Sequence, residues 1–103
     1  GMTVAMDESP VKENLLYVGT DDGLIQVSED AKTWRKIDEF PGVPKFTYVS
    51  DVMASKFDQN VVYAAFDNTK RNDFRPYILL SRDKGKSWES ISNNLPKNDT
   101  FVF

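Results

Sequence analysis

Short apolar runs separated by turn-forming residues follow one another along the whole chain, and this pattern predicts strands rather than helices. The run Val61-Val62-Tyr63-Ala64-Ala65-Phe66 is continuously apolar, as expected of a strand that is buried on both faces. No segment has a convincing helical period. The pattern predicts two sets of four strands, the first at 3–6, 15–20, 24–27 and 33–37, and the second at 47–54, 61–66, 76–80 and 87–92.

The two sets of strands align as an internal repeat. Residues 14–19 align with 60–65 at an offset of 46, whereas Ser28 aligns with Ser81 at an offset of 53. The second copy therefore carries seven inserted residues between its second and third strands. The opening strands are aligned as 4–7 with 52–55. Four short strands repeated at this spacing are typical of one β-sheet unit per repeat.

A polar turn motif joins the third and fourth strands of each repeat. The motifs are Ser28-Glu29-Asp30-Ala31-Lys32-Thr33-Trp34 and Ser81-Arg82-Asp83-Lys84-Gly85-Lys86-Ser87-Trp88. Ser and Asp side chains bond nearby backbone groups, and glycine adopts positive φ without cost, so each motif predicts a tight hairpin turn. The first copy is one residue shorter and lacks the glycine, so its turn is expected to be built differently.

The second motif matches Ser-x-Asp-x-Gly-x-Ser/Thr-Trp at every defining position, and the chain therefore resembles the Asp-box, or BNR-repeat, proteins. These include sialidases, xyloglucanase-like glycoside hydrolases, sortilin-type receptors and photosystem II assembly-factor-like proteins. The resemblance covers about Thr3 to Pro96 and implies a β-propeller. It also implies that the boxes lie on the periphery, away from any ligand. The residues given this structural role are Ser28, Asp30, Thr33, Trp34, Ser81, Asp83, Gly85, Ser87 and Trp88.

The predicted fold is all-β, with two four-stranded antiparallel β-propeller blades at 3–40 and 46–96. Residues 97–103 are interpreted as the start of a following strand or a tail. A propeller closes with about four to eight blades. We therefore expect the chain to be part of a larger propeller, or to form a homo-oligomer that completes one.

Composition removes several classes of chemistry. The 103 residues have a net charge of -3 and contain neither cysteine nor histidine. This excludes disulfides, thiolate or imidazole metal sites and His-dependent catalysis, and we predict no metal site and no cofactor. Dispersed Lys and Arg give no basic patch for nucleic acid, and no apolar stretch is long enough to span a membrane. No signal peptide is visible, although the resemblance implies an extracellular or periplasmic parent protein.

Two connections are expected to meet at the end of the molecule opposite the boxes. They are 67–75 and 38–46, whereas the first repeat has only the short turn Asp21-Asp22-Gly23 there. Long loops on a rigid scaffold commonly carry binding sites. The candidate ligand-binding residues are Asp67, Lys70, Arg71, Asp73, Phe74 and Arg75. Such residues suit a polysaccharide, through stacking and bidentate hydrogen bonds, or a protein partner; the alternative is a solvated loop that packs on the next blade.

Asp51 is the candidate for chemistry, because the resemblance places its strand innermost. Glycoside hydrolysis needs two carboxylates, and Asp21, Asp22 or Asp67 would supply the second. No known hydrolase motif matches, and a bond from Asp51 to the backbone is the structural alternative. The sequence thus favours a non-catalytic structural or binding fragment of a glycosyl-hydrolase-like propeller. A sortilin-type protein-interaction propeller is the alternative, and a complete hydrolase is less favoured because two blades do not enclose a site.

Overall fold

The computed structural model describes residues 4–73 and 77–91. In this part of the chain eight strands alternate with short connections, and a single 3₁₀ turn, Thr69–Arg71, lies between the sixth and seventh strands. The predictions for Phe74, Arg75 and 97–103 fall outside the described residues. The strands are β1 (Val4–Glu8), β2 (Leu16–Thr20), β3 (Ile25–Ser28), β4 (Arg35–Ile37), β5 (Tyr48–Ala54), β6 (Val62–Asp67), β7 (Tyr77–Ser81) and β8 (Glu89–Ser90).

The strands form two separate antiparallel sheets. The first has the order β1-β2-β3-β4 and the second has the order β5-β6-β7-β8, so each strand pairs with its neighbour in sequence. Short connections between antiparallel neighbours produce this arrangement directly. The predicted all-β fold with two four-stranded antiparallel sheets is confirmed.

The registers of the two sheets confirm most of the predicted repeat. Tyr17 pairs with Val27, and Tyr63 pairs with Leu80. Likewise, Leu16 lies opposite Ser28, and Val62 lies opposite Ser81. The second strands therefore correspond at an offset of 46 and the third strands at 53, which places the inserted residues in the β6–β7 connection.

The predicted alignment of the opening strands was wrong by two residues. Asp7 lies opposite Tyr17 and Met53 lies opposite Tyr63, so Asp7 corresponds to Met53 rather than to Ser55. It is Ser9 that corresponds to Ser55, because the two backbone N–H groups donate to equivalent carbonyls at 2.9 and 3.0 Å. A shift of two residues keeps every side chain on the same face of a strand, so the apolar pattern does not distinguish the two alignments.

The fourth strands begin later than predicted, at Arg35 and Glu89 rather than at 33 and 87. The intervening Thr33 and Ser87 are held inside the turns by hydrogen bonds to Asp30 and Asp83. Each turn motif therefore extends through its Trp, and the pairing of the fourth strand begins at the next residue.

The two sheets stack with the same orientation, the front of the second against the back of the first. We call the face with Val52, Ala64 and Leu79 the front of the second sheet, and the face with Tyr17 and Val27 the back of the first. These faces share one buried core. Phe40, from the β4–β5 connection, adds ring contacts to this core, with centroids 4.9 Å from Phe66 and 5.7 Å from Trp88. A second, smaller apolar cluster on the back of the second sheet contains Tyr63, Leu80 and Ile91.

Candidate functional site

The second box turn is organised around the carboxylate of Asp83. Its Oδ1 accepts hydrogen bonds from Ser81 Oγ and from the backbone N–H of Ser87, both at 2.8 Å, and its Oδ2 accepts one from Ser87 Oγ at 2.6 Å. Lys84 and Gly85 both have positive φ, which reverses the chain direction. The Trp88 Nε1–H donates to the Gly85 carbonyl at 3.1 Å, so the indole packs over its own turn.

The first box reaches the same arrangement with one residue fewer. Asp30 Oδ1 accepts from the backbone N–H groups of Lys32 and Thr33 at 2.8 Å, and Thr33 Oγ1 donates to Oδ2 at 3.1 Å. Ala31 alone has positive φ, at 63°, where the second box has two such residues. The first turn therefore has one left-handed residue fewer than the second, at the place of the missing glycine. Its carboxylate still occupies the centre of the turn.

The hydrogen bonds in the two boxes favour ionised carboxylates. The backbone bonds from Thr33 and Lys32 lower the pKa of Asp30 to about 2. Desolvation would raise the pKa of Asp83, but the bonds from Ser87 and Ser81 outweigh it and lower this pKa also to about 2. These groups are occupied in holding turns, which is a structural role.

Three connections meet at the opposite end of the molecule. Arg71, in the β6–β7 connection, donates from Nη1 to the Lys45 carbonyl at 3.0 Å and from Nη2 to the Phe46 carbonyl at 3.2 Å. A Cβ added to Gly23, in the β2–β3 turn, would lie 3.0 Å from Phe46 Cα. We call this surface, formed by the β2–β3, β4–β5 and β6–β7 connections, the loop end.

Most of the predicted ligand-binding side chains that the structure describes bond within the protein. Asp67 Oδ1 accepts from the Thr69 N–H at 2.9 Å, and this bond lowers the pKa of Asp67. Asp73 Oδ2 accepts hydrogen bonds from Asn68 Nδ2 at 3.0 Å and from the Tyr77 hydroxyl. Together with the bonds of Arg71, these contacts make the β6–β7 connection a support for the loop end, with Lys70 exposed on it.

The β4–β5 connection supplies the exposed aromatic ring and the cavity of the loop end, and its residues were not among the predicted binding residues. Phe46 is 70% exposed and has φ of 62°, in the left-handed region that a non-glycine residue rarely adopts. An open cavity of about 380 Å³ is lined by Glu39, Phe40, Pro41, Val43 and Lys45. The Lys45 Nζ lies 3.3 Å from Glu39 Oε1, and both side chains are exposed. The available sequence signal was an aromatic residue in a loop with Pro and Gly.

Asp51 lies opposite Ala65 on the back of the second sheet. Burial and, further, the charge of Asp7 raise its pKa, while a bond from the Val52 backbone opposes this. Asp7 is on β1, and its Oδ2 accepts the N–H of Ala54 at 2.8 Å, which joins β1 to β5. The neighbouring carboxylate that acts on Asp51 is thus Asp7.

Of the three carboxylates predicted as possible partners of Asp51, two belong to a turn and the third lies on the neighbouring strand. Asp21 and Asp22 belong to the β2–β3 turn, where Asp22 accepts from the Thr20 hydroxyl. Asp67 ends β6, where it pairs with Tyr48, and it lies on the same face as Ala65, the residue opposite Asp51. Among the described residues there is no group of three or more Asp or Glu placed to hold a metal ion.

Comparison of the chain with family models, with curated proteins and with solved structures found no match. In the described part of the chain, no helix has the length and apolar character needed to cross a membrane. The site must therefore be interpreted from its own geometry.

Proposed function

We propose that this chain is a non-catalytic binding module made of two Asp-box β-propeller blades, with its ligand surface at the loop end. The front-to-back stacking of two repeated sheets supports the propeller interpretation, because successive propeller blades pack in a common orientation. The box turns act as fixed hairpins, and the opposite end is left for a ligand.

A polysaccharide is the ligand class we propose, and the exposed ring of Phe46 carries this choice. An aromatic face packs on the apolar face of a sugar ring, while neighbouring charged groups bond its hydroxyls. Lys45 and Glu39 supply a donor and an acceptor beside the cavity without adding net charge. The two bonds from Arg71 hold the Lys45 and Phe46 backbone in place, so little order has to be gained on binding.

The proposed role is non-catalytic because the carboxylate beside Asp51 already has a structural contact. Asp7 bonds the Ala54 backbone between the sheets. Hydrolysis would require both carboxylates to flank the scissile bond of a sugar. We therefore assign Asp7 and Asp51 to the packing of the inner strands.

The test compares two exposed phenylalanines at opposite ends of the molecule. Xyloglucan and β-glucan oligosaccharides would be titrated against the chain by calorimetry. Phe46→Ala should weaken binding about fivefold to tenfold, because a stacking contact is lost. Phe57, 73% exposed in the β5–β6 turn, is the matched control, and Phe57→Ala should bind as the parent does.

Two results would contradict the polysaccharide. One is the absence of binding to every glycan in a broad panel, and the other is an equal effect of Phe46→Ala and Phe57→Ala. A partner protein captured through Phe46, with no sugar binding, would instead support the sortilin-type alternative.

A further inference from the structure

The front of the first sheet is open where the corresponding face of the second sheet is buried. Val52 and Trp88 pack in the core between the sheets. Their counterparts in the first sheet are Met6 and Trp34, which are 67% and 42% exposed. The first sheet therefore presents, uncovered by the described residues, the same type of face that the second sheet buries.

Inside the chain, the back of the first sheet receives the second box turn in a defined way. A Cβ added to Gly85 would lie 3.0 Å from Val27 Cγ2, so the turn backbone rests on that side chain. Arg35 Nη2 donates to the Lys84 carbonyl at 2.9 Å, and Lys84 Nζ lies 3.4 Å from Glu29 Oε1. An arginine, a glutamate and an apolar side chain thus form the receiving position.

The back of the second sheet has the corresponding position, and no turn among the described residues occupies it, although Leu80 at its base is only 4% exposed. By register and motif, the residues that correspond to Val27, Glu29 and Arg35 are Leu80, Arg82 and Glu89. A cavity of about 300 Å³ lies there, lined by Leu80, Arg82, Ser87, Trp88 and Glu89. Arg82 and Glu89 form an exposed ion pair at 2.6 Å. Arg35 and Glu29 form the corresponding pair in the first sheet, with the positive and negative residues at the opposite positions.

We propose that the first box turn of one copy of this chain docks into the Leu80–Arg82–Glu89 cavity of a second copy. Ala31 has φ of 63° and Lys84 has φ of 61°, so the two turns share a left-handed residue at the corresponding position. Arg82 donates to the Ala31 carbonyl, and Lys32 pairs with Glu89. As in the internal interface, an arginine binds a turn carbonyl and a glutamate pairs with a turn lysine. The arginine and the glutamate have exchanged their positions on the receiving sheet.

The proposed contact joins two different surfaces, so it is heterologous. Each copy has one docking turn and one receiving cavity, and further copies add until the rotation closes a ring. Because a propeller closes with about four to eight sheets, a closed ring would contain about two to four copies. The inference rests on the proposed stacking of Asp-box sheets and is independent of the polysaccharide.

The test is a charge exchange followed by analytical sedimentation over a wide range of chain concentrations. Lys32→Glu and Glu89→Lys should each weaken association about tenfold, because like charges then face each other. The double variant should recover most of it. Glu39→Lys is the control for association only, because this exposed ion-paired glutamate lies at the loop end, away from the proposed contact; it should associate as the unsubstituted chain does.

The inference is overturned if the unsubstituted chain stays monomeric at every concentration. It is also overturned if the chain associates and neither single variant weakens the association. Failure of the double variant to recover, when each single variant is folded by its thermal transition, also overturns it. Oligosaccharide binding is measured on Lys32→Glu and Glu89→Lys, which lie outside the loop end. Loss of association with unchanged sugar binding supports the inference, and loss of sugar binding alone counts only against the proposed ligand.

Discussion

Asp30 and Asp83 show how one side chain organises a turn. Each carboxylate accepts backbone and hydroxyl hydrogen bonds from residues two to four positions away, including its Ser and its Thr or Ser partner. Short polar side chains do this because they reach nearby backbone groups without spanning a longer distance. The residue types of the motif thus follow from the bonds that the turn requires.

We expect Asp83→Asn to destabilise the fold by about 1–2 kcal/mol, because an amide replaces a carboxylate that accepts three short bonds. Chemical denaturation measures the change. The control is Asp38→Asn, an exposed aspartate after β4, which should stay within about 0.5 kcal/mol of the parent. Equal effects of the two substitutions would contradict the role assigned to the carboxylate.

The same carboxylates predict how stability depends on pH. The pKa of Asp83 falls from 3.8 to about 2 on folding, so the unfolded chain takes up a proton first as the pH decreases. The contribution of Asp83 to stability is therefore complete above about pH 4 and is lost towards about pH 2. Thermal melting between these pH values should be less steeply pH-dependent in Asp83→Asn; an unchanged slope would contradict the lowered pKa.

At the scale of elements, the distance between β2 and β5 depends on Gly19. A Cβ added there would lie 2.3 Å from Val49 Cγ1 and 2.9 Å from Val49 Cβ, so β5 lies directly on the glycine. The corresponding residue of the second sheet is Ala65. Both sheets therefore have a small residue at this position.

Gly19→Ala should cost about 1–3 kcal/mol in unfolding free energy, because the core has no room for the added methyl group. In a Val49→Ala background the same substitution should cost clearly less, since the clashing atoms are gone. Denaturant unfolding of the four variants forms a double-mutant cycle. A zero coupling energy would show that the contact with Val49 does not limit the space.

At the scale of the whole molecule, the hydroxyl of Tyr17 is buried between the sheets without a hydrogen-bond partner among the described residues. Burial raises the pKa of this tyrosine well above its ordinary value, so the group is neutral. The second box turn and the back of the first sheet close around it. Stacking of the sheets has therefore enclosed a polar atom.

Tyr17→Phe should raise the stability by about 1 kcal/mol, because it removes a desolvated hydroxyl without changing the ring. Tyr77→Phe is the matched comparison. Its hydroxyl donates to Asp73 Oδ2, so its loss should lower the stability by about 1–2 kcal/mol. Thermal and denaturant unfolding report both, and a loss of stability in Tyr17→Phe would contradict the view of this hydroxyl as unpaired.

The sequence alone predicted the features that depend on local chemistry. The strand pattern, the order of strands within each repeat and the two box turns all follow from residues that contact near neighbours in the chain. The seven-residue insertion was located correctly for the same reason, since similar motifs flank it in both repeats. The role of a carboxylate that accepts hydrogen bonds within its own turn can be predicted from the local sequence, because its partners are only a few residues away.

Only the tertiary structure decided the features that depend on contacts between the repeats. The two-residue shift of β1 followed from hydrogen bonds that the apolar pattern does not encode. The two hydrogen bonds from the Arg71 guanidinium to the backbone of the β4–β5 connection, and the exposure of Phe46 beside them, likewise depend on how the connections meet. The stacking of the two sheets also determined which faces are buried. The apolar pattern of a strand shows that a face can be buried, but it does not show what that face packs against.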